Sequence, residues 1–470
     1  MSMKILIAAS EALPFAATGG LADVIGSLPH ALYKNGVDVR VVIPMYPSVR
    51  KNFGDEIKFI KAITVKLSWR NQYCGIFESE YKGVKYYFID NEYYFKRDGM
   101  YGYMDDGERY AFFSKAILEM LPHIDFYPDV LHTNDWQTAL SAIYLKRHYC
   151  TVKGYENIKS LHTLHNIEYQ GEYDFSMLQD VFDLSPFDAP IVDYKGRINL
   201  IKGALICCDK FSTVSPTYAE EIKTETYSHG LHHILNAHSD KIIGILNGID
   251  TEYYKPATFD VTDISGKSTL KMDLQKEIGL PVNEDIPMIG MITRLVTHKG
   301  MDLIIHVIDE FMHDNVQFVV LGTGDEKFEN FYRNLEFRYP DKVRAIISYD
   351  VALSIRIYSG SDIFLMPSKS EPCGLAQMIS SQYGTVPLVR QTGGLYDSIK
   401  DYNPATGEGN GFTFRDYNAH DMLFRLQNAV DMYRNDKDAW NKLVKQVMSV
   451  DFSWNVSAEK YIKLYEELIN

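Results

Sequence analysis

Between residues 288 and 389 the chain alternates between short apolar runs and helical stripes, and this alternation limits the fold more than any other feature. The runs 288–292, 317–321, 343–347, 362–366 and 386–389 are too short for helices and read as buried strands. Helices are expected over 301–312, 327–339 and 352–359. Strict strand–helix alternation predicts a parallel, right-handed, doubly wound sheet. The first half carries the same signal less regularly. Residues 4–9 predict a strand, and 21–35 a helix with Leu21, Val24, Ile25, Leu28, Ala31 and Leu32 on one stripe. Further strands are expected at 37–43, 130–132, 160–164, 210–214 and 242–246, with a hairpin insert at 57–67, 75–81 and 84–90. Residues 91–106, dense in Tyr, Gly and Asp, read as an exposed loop.

A chain of 470 residues is too long for one ordinary core. The expected fold class is α/β, with two Rossmann-like doubly wound domains facing a cleft. The expected domains are 1–250 and 251–450, with 256–287 as a polar connection that holds a helix around 271–278. The segment 451–470 is expected to cross back to the first domain as a helix, and packing on its own domain is the alternative.

In sheets of this class ligands sit outside the carboxyl ends of the strands. The loop 367–377, Pro-Ser-Lys-Ser-Glu-Pro-Cys-Gly-Leu-Ala-Gln, follows a strand and leads into a helix, so it is the first candidate. A helix start offers unpaired N–H groups to a phosphate. The residues alone also allow an ordinary surface loop with Pro/Gly punctuation. Arg294 and Lys299 follow the strand 288–292 and would neutralise a diphosphate leaving group. In the first half, Thr18-Gly19-Gly20 precedes a helix, which suits either a ligand-facing loop or a tight turn. Two strand ends there carry polar pairs, Asn134/Asp135 and His165/Asn166.

Composition removes some functions. A net charge of -14 argues against a nucleic-acid partner, because phosphate backbones reward Lys/Arg clusters. Five cysteines, an odd number without zinc spacing, predict free thiols in a reducing cytoplasm. The apolar run near the amino terminus is too short for a signal peptide or a membrane span. His229, His232, His233 and His238 lack a carboxylate-supported ligand set, so the tract reads as a solvated, mobile loop and no metal is expected.

Taken in order, these motifs resemble those of the bacterial glycogen synthase and plant starch synthase family, retaining glucosyltransferases of the GT-B fold. The resemblance rests on Thr18-Gly19-Gly20-Leu21-Ala22-Asp23, Asn134-Asp135-Trp136, His165-Asn166 with Tyr169-Gln170-Gly171, and Asn247-Gly248-Ile249-Asp250. In the second half it rests on Arg294 with Lys299-Gly300, Pro367-Ser368 with Glu371-Pro372-Cys373-Gly374-Leu375 and Gln377, and Thr392-Gly393-Gly394-Leu395. It implies transfer of glucose from ADP-glucose to the non-reducing 4-OH of an α-1,4-glucan. Neither cofactor, metal, nucleic acid nor membrane is implied. By the family pattern Arg294 and Lys299 hold the diphosphate, assisted by N–H groups at Gly374–Leu375 and Thr392. Glu371 binds donor-glucose hydroxyls beside Cys373, Gly374, Gly393 and Gly394. His165 lies at the β face of the anomeric carbon, with Asp135, Asn166 and Asn247 nearby, and Tyr349 stacks on adenine. Gly19, Gly20, Asp23 and Tyr101 face donor or acceptor from the first domain. One departure stands out: the family loop commonly begins with Lys, and here that position is Ala17. Altered affinity is expected, not lost activity.

A retaining glycosidase needs two carboxylates about 5 Å apart. Only Glu371 stands out, so a front-face route is expected, in which leaving and entering groups share one side. The alternative function is another retaining nucleotide-sugar glucosyltransferase with a small acceptor, which would share Arg294, Lys299 and Glu371.

Overall fold

A computed structural model describes residues 2–470. The chain divides into two compact units, one of residues 1–248 with 454–470 and one of residues 249–453.

The first unit is built on a nine-stranded sheet. In spatial order its strands are Ile242–Gly244, Lys210–Thr213, Lys159–Leu164, Val130–Asn134, Lys4–Ala8, Asp38–Pro44, Val84–Asp90, Arg70–Tyr81 and Lys58–Leu67. The strands from Ile242–Gly244 to Val84–Asp90 pair in parallel, and Arg70–Tyr81 turns antiparallel to make the edge hairpin. Growth of the sheet reverses between Lys4–Ala8 and Val130–Asn134. That is the switch point at which such sheets leave a crevice beyond the strand ends. Ile5, Leu6, Ile7 and Ala8 are fully buried, as a central parallel strand covered on both faces requires. The helix Gly20–Lys34 lays its predicted stripe inward. The helix Trp454–Ile469 belongs to this unit: Tyr465 OH lies 2.8 Å from His132 Nδ1, and Ser457 Oγ donates to the Leu246 carbonyl at 2.5 Å.

The second unit is a six-stranded parallel sheet. Its order is Val343–Ile346, Gln317–Leu321, Met288–Ile292, Ile363–Met366, Val386–Arg390 and Phe412–Phe414. Its switch point lies between Met288–Ile292 and Ile363–Met366.

Several expectations are corrected. Residues 91–106 are not simply exposed loop: the short helix Glu92–Phe95 buries Tyr94 and Phe95 completely, so these aromatics are core. The second hairpin strand begins at Arg70, because Ser68 takes a left-handed φ of 55° and closes a tight turn. Within the connection 256–287, the helix expected around 271–278 begins earlier, at Gly266, and packs into the second unit. The helix Gly266–Glu277 buries Lys267, Lys271, Leu274 and Gln275 in the second unit, and Lys271 Nζ reaches Asp362 Oδ2 at 2.6 Å. The histidine tract is not a loose loop either. It forms the helix His232–Ala237, with Leu235 buried and the His229 carbonyl accepting from Gln170 Nε2 at 3.2 Å.

Candidate active site

In the second unit, the loops leaving Met288–Ile292 and Ile363–Met366 dock on each other at the switch point. The Lys369 N–H donates to the His298 carbonyl at 2.8 Å. Gly300 has φ +80°, and a Cβ there would lie 2.2 Å from the Pro367 carbonyl oxygen, so only glycine admits this approach. Docking brings Lys299 Nζ to 2.6 Å from Glu371 Oε2, and Ser368 Oγ donates to the same oxygen at 3.0 Å. The two charged side chains are only 16% and 9% exposed, so this ion pair is shielded from water and sensitive to loss of either partner. Arg390 braces the loop from behind, donating through Nε to the Ser368 carbonyl at 2.8 Å and through Nη2 to the Lys369 carbonyl at 2.5 Å.

The Gly393–Gly394 pair completes this packing. A Cβ at either position would lie 2.1 Å from a carbonyl oxygen, that of Glu371 or that of Cys373. The Gly394 N–H donates to the carbonyls of Glu371 at 3.1 Å and Pro372 at 3.2 Å. Gln377 is buried, and its amide donates to the carbonyls of Cys373 and Gly374 at 3.2 and 2.9 Å. It clamps the loop. The Gly374 and Leu375 N–H groups have no partner among the described residues. The Thr392 N–H does have one, the Arg390 carbonyl at 2.9 Å, so it is not the free donor expected from the sequence.

Arg294 is exposed, and its guanidinium makes no ion pair or hydrogen bond among the described residues. Its backbone is nonetheless fixed: the Leu295 N–H donates to the Thr323 carbonyl at 2.9 Å, and the Asp325 N–H to the Leu295 carbonyl at 2.8 Å. An uncompensated cation thus stands on a rigid loop that also carries a paired one. Tyr349 is 89% exposed beyond the strand Val343–Ile346, a ring with both room and solvent around it.

In the first unit, the ends of the neighbouring strands Val130–Asn134 and Lys159–Leu164 carry most of the polar groups, with Asn247 beyond Ile242–Gly244. Asp135 takes a left-handed φ of 54° at the strand-to-helix turn, an uncommon conformation outside glycine that Asp tolerates best. Its Oδ1 accepts the His165 N–H at 2.7 Å, and the Asn166 N–H is a further partner. Burial nevertheless dominates and pushes the Asp135 carboxyl up to about 7. His165 Nε2 lies 2.9 Å from Asn134 Oδ1, and Asn134 Nδ2 donates to the Ala8 carbonyl at 3.1 Å. The second bond orients the amide, so Nε2 must carry the imidazole proton. Burial pushes His165 down to about 3, leaving it neutral at working pH. Asn247 is buried, and its Oδ1 has no hydrogen-bond partner among the described residues.

A second group lies beyond Lys4–Ala8. Buried Glu11 accepts the Thr18 N–H at 2.5 Å and its hydroxyl at 2.9 Å, which shapes the glycine loop. Tyr101 OH bonds Ser10 Oγ at 2.7 Å and also meets Glu11. Asp23 is pushed up to about 6, first by burial and then by the charge of Glu11. A Cβ at Gly19 or Gly20 would meet nothing within 4 Å.

The structure therefore joins Lys299, Glu371, Cys373, Gly374, Gly393 and Gly394 in one loop cluster. It joins Asp135, His165 and Asn166 in another, and Asp23 and Tyr101 around the glycine loop. Among the described residues, the side chains of Arg294 and Tyr349 make no hydrogen bond or ion pair with these groups, and Asn247 Oδ1 has no partner. Glu11 and Arg390 escaped the sequence reading, whereas Asn134 and Ser368 stood in its motifs without a role assigned to either. For Glu11 a usable signal existed: an acidic residue just past the first strand, set among alanines.

Residues 4–237 match the family model of the starch synthase catalytic domain, and residues 275–446 that of glycosyl transferases group 1. The chain is 47% identical over 478 residues to a glycogen synthase of Clostridium novyi (strain NT), covering 100% of both chains. It is 46% identical over 476 residues to a glycogen synthase of Bacillus cereus (strain B4264), covering 99% of this chain and 100% of the relative. Among solved structures it resembles the catalytic domain of starch synthase IV from Arabidopsis thaliana bound to ADP and acarbose. The TM-score is 0.90 at 36% identity, with 100% of each chain covered. A sucrose-phosphate synthase from Thermosynechococcus elongatus shares the fold, with a TM-score of 0.60 at 16% identity over 99% of each chain. No helix among the described residues is long and apolar enough to cross a membrane.

Proposed function

Because the chain belongs to the glycogen synthase and starch synthase family of GT-B glucosyltransferases, we infer that it transfers glucose from ADP-glucose to the non-reducing 4-OH of an α-1,4-glucan, with retention of configuration. One observation carries the reading onto this chain's own residues. The second unit sets an unpaired guanidinium, Arg294, on the same loop as the shielded Lys299–Glu371 pair.

The reaction breaks the bond between glucose C1 and the β-phosphate oxygen of ADP-glucose, and the electron pair leaves with the phosphate. Positive charge develops on C1 and the ring oxygen, negative charge on the diphosphate. Arg294 takes up that negative charge, being a cation on a fixed backbone without a competing anion. Lys299 has three donors, so it can keep Glu371 and still reach a phosphate oxygen. Glu371, held by Lys299 and Ser368, presents its carboxylate to donor-glucose hydroxyls. The acceptor 4-OH oxygen bonds to C1 on the face the diphosphate leaves, and its proton passes to the departing phosphate oxygen. That front-face route needs no protein nucleophile. His165 serves as a neutral imidazole at the anomeric carbon, since its one N–H is committed to Asn134. The proposed route asks for no metal ion.

Radiolabelled ADP-glucose with glycogen tests the reading. Label should enter the polymer, with rates unchanged by EDTA. Label entering only a small acceptor would establish the alternative transferase, and a covalent glucosyl-carboxylate trapped on the enzyme would refute the front-face route. Arg294→Ala and Lys299→Ala should each lower kcat by about 10²–10³-fold, the loss of roughly 3–4 kcal/mol from one charge-stabilising group. Near-normal rates in both variants would break the role assignment.

A further inference from the structure

Trp69 is 69% exposed, yet it is held in place. It occupies the tight turn between the strands Lys58–Leu67 and Arg70–Tyr81. Its Nε1 donates to Asp180 Oδ1 at 2.6 Å. The Arg70 guanidinium lies 4.4 Å from the ring centroid. Arg70 is itself fixed: its side chain is 11% exposed and pairs with Glu108 Oε2 and Asp180 Oδ2, each at 3.2 Å. Glu108 in turn accepts from Tyr94 OH at 2.6 Å. One edge and one face of the indole are pinned, and the rest of the ring meets water. Apolar surface left in water contributes nothing to folding. A large ring fixed in advance lowers the ordering cost of binding a ligand.

We propose that Trp69 and Asp180 form a second glucan-binding site on the first unit, in which the indole stacks on a glucose ring of the polymer and the Asp180 carboxylate accepts its hydroxyls. This rests on the glucan reading above. Glucose in an α-1,4 chain presents a flat face of C–H groups rimmed by hydroxyls. A bare aromatic face with a carboxylate at its edge, 54% exposed in its side chain, complements both parts. The chemistry disfavours anionic partners: the charges beside the ring are Asp180 and Glu108, Arg70 is already paired, and the chain carries a net charge of -14. The anchored turn is also tied to the candidate site. The link is through the core and not along the surface: buried Phe182, two residues past Asp180, meets Tyr173 edge-on at 5.3 Å, and Tyr173 lies 6.0 Å from Trp136, the neighbour of Asp135. A polymer held at Trp69 keeps its chain ends at high local concentration, which a short oligosaccharide does not need.

The test uses the full chain with Trp69→Ala, Trp69→Tyr and, as a control, Phe337→Ala, which removes an exposed ring of the second unit that has no such anchoring. Glycogen binding by co-sedimentation and KM for glycogen should weaken roughly five- to tenfold in Trp69→Ala. KM for ADP-glucose and the rate on maltotriose should stay unchanged. Trp69→Tyr should recover most of the loss, and Phe337→Ala should show none. Equal glycogen binding and KM in wild type and Trp69→Ala would overturn the platform while leaving the parent reading intact. A change in sedimentation coefficient with unchanged glycogen binding would overturn it too, by assigning the face to a second copy of the chain. Absence of glucosyl transfer by the wild type would instead remove the parent reading. A parallel loss on maltotriose and glycogen would show that the ring acts only through folding.

Discussion

The two units contain the same four-residue string, Thr-Gly-Gly-Leu, at 18–21 and 392–395, and they use it for opposite reasons. At Gly393 and Gly394 the protein's own backbone fills the space that a side chain would need, within 2.1 Å of the nearest carbonyl oxygen. At Gly19 and Gly20 there is nothing within 4 Å of an added Cβ, and Gly19 sits in extended backbone at φ -160° that any residue adopts. The fold therefore demands the second pair and does not demand the first. Charge follows the same division. In the second unit Glu371 has its lysine, whereas Glu11, Asp23 and Asp135 in the first are carboxyls raised by burial without a cation beside them. One half is locked by its own contacts, and the other keeps an open glycine pair and acids without a cation at its strand ends.

The largest effect expected from this contrast is Gly394→Ala. The added methyl would overlap the Cys373 backbone, which cannot rotate away, so the loop carrying Glu371 must shift. Overpacking of this kind costs about 1–3 kcal/mol or more. Denaturant melts should show that loss together with a collapse of kcat. A variant as stable and active as wild type would show that the loop docking is not needed.

Asp135 gives the next effect, through pH. Its carboxyl is raised in the folded state, so the unfolded chain releases its proton first as pH rises. The stability it contributes is complete below about 4, where both states are protonated, and is lost as pH climbs through about 7. Asp135→Asn keeps an oxygen for the His165 N–H and cannot ionise. Its stability relative to wild type should therefore rise between pH 4 and pH 8, by about 2 kcal/mol for a partly shielded group. Melts that track wild type across this range would mean that the carboxyl is not perturbed.

Gly20→Ala separates fold from function in the first unit. Gly20 opens a helix, and alanine there is the better helix former by up to about 1 kcal/mol. The melting temperature should hold or rise, while KM for ADP-glucose or glycogen rises about tenfold because the methyl occupies ligand space. Unchanged KM would reduce the motif to a simple turn.

How much of this was legible beforehand depends on the range of the signal. The strands Met288–Ile292 and Gln317–Leu321 appear with the bounds read from the sequence, because burial on both faces writes a continuous apolar run. Tyr94 and Phe95 were misread because their neighbours are turn-formers, and only the tertiary context buries them. The Ser68–Trp69 turn carries no Asn-Gly or Asp-Gly signal, so a strand start was placed five residues late, at 75 where the structure has Arg70. Site residues divide the same way. Lys299 and Glu371 stand at strand ends and are visible locally, but that they pair depends on Gly300 meeting Pro367, a contact 67 positions apart in sequence (367 − 300). Gln377 was legible only as part of the motif, and its bonds make it a loop clamp.

The smallest effect, and the most specific, concerns Ala17. It is exposed, and the next residue, Thr18, gives both its N–H and its hydroxyl to Glu11. The loop is thereby pinned to a carboxylate, with Asp23 as a second acid close enough to be raised by it. Ala17→Lys would bring an ammonium into this acidic, open rim without disturbing any packed atom. Stability should change by less than about 0.5 kcal/mol, as for other exposed positions. If the rim faces the donor, KM for ADP-glucose should fall several-fold at low salt, and the gain should fade as ionic strength approaches 1 M, where screening acts within about 3 Å. The Asp23 carboxyl should also titrate lower, readable by NMR whatever the kinetics do. A titration shift without any change in KM would place the loop beside the acids but away from the nucleotide, and the open glycine pair would then belong to the glucan alone.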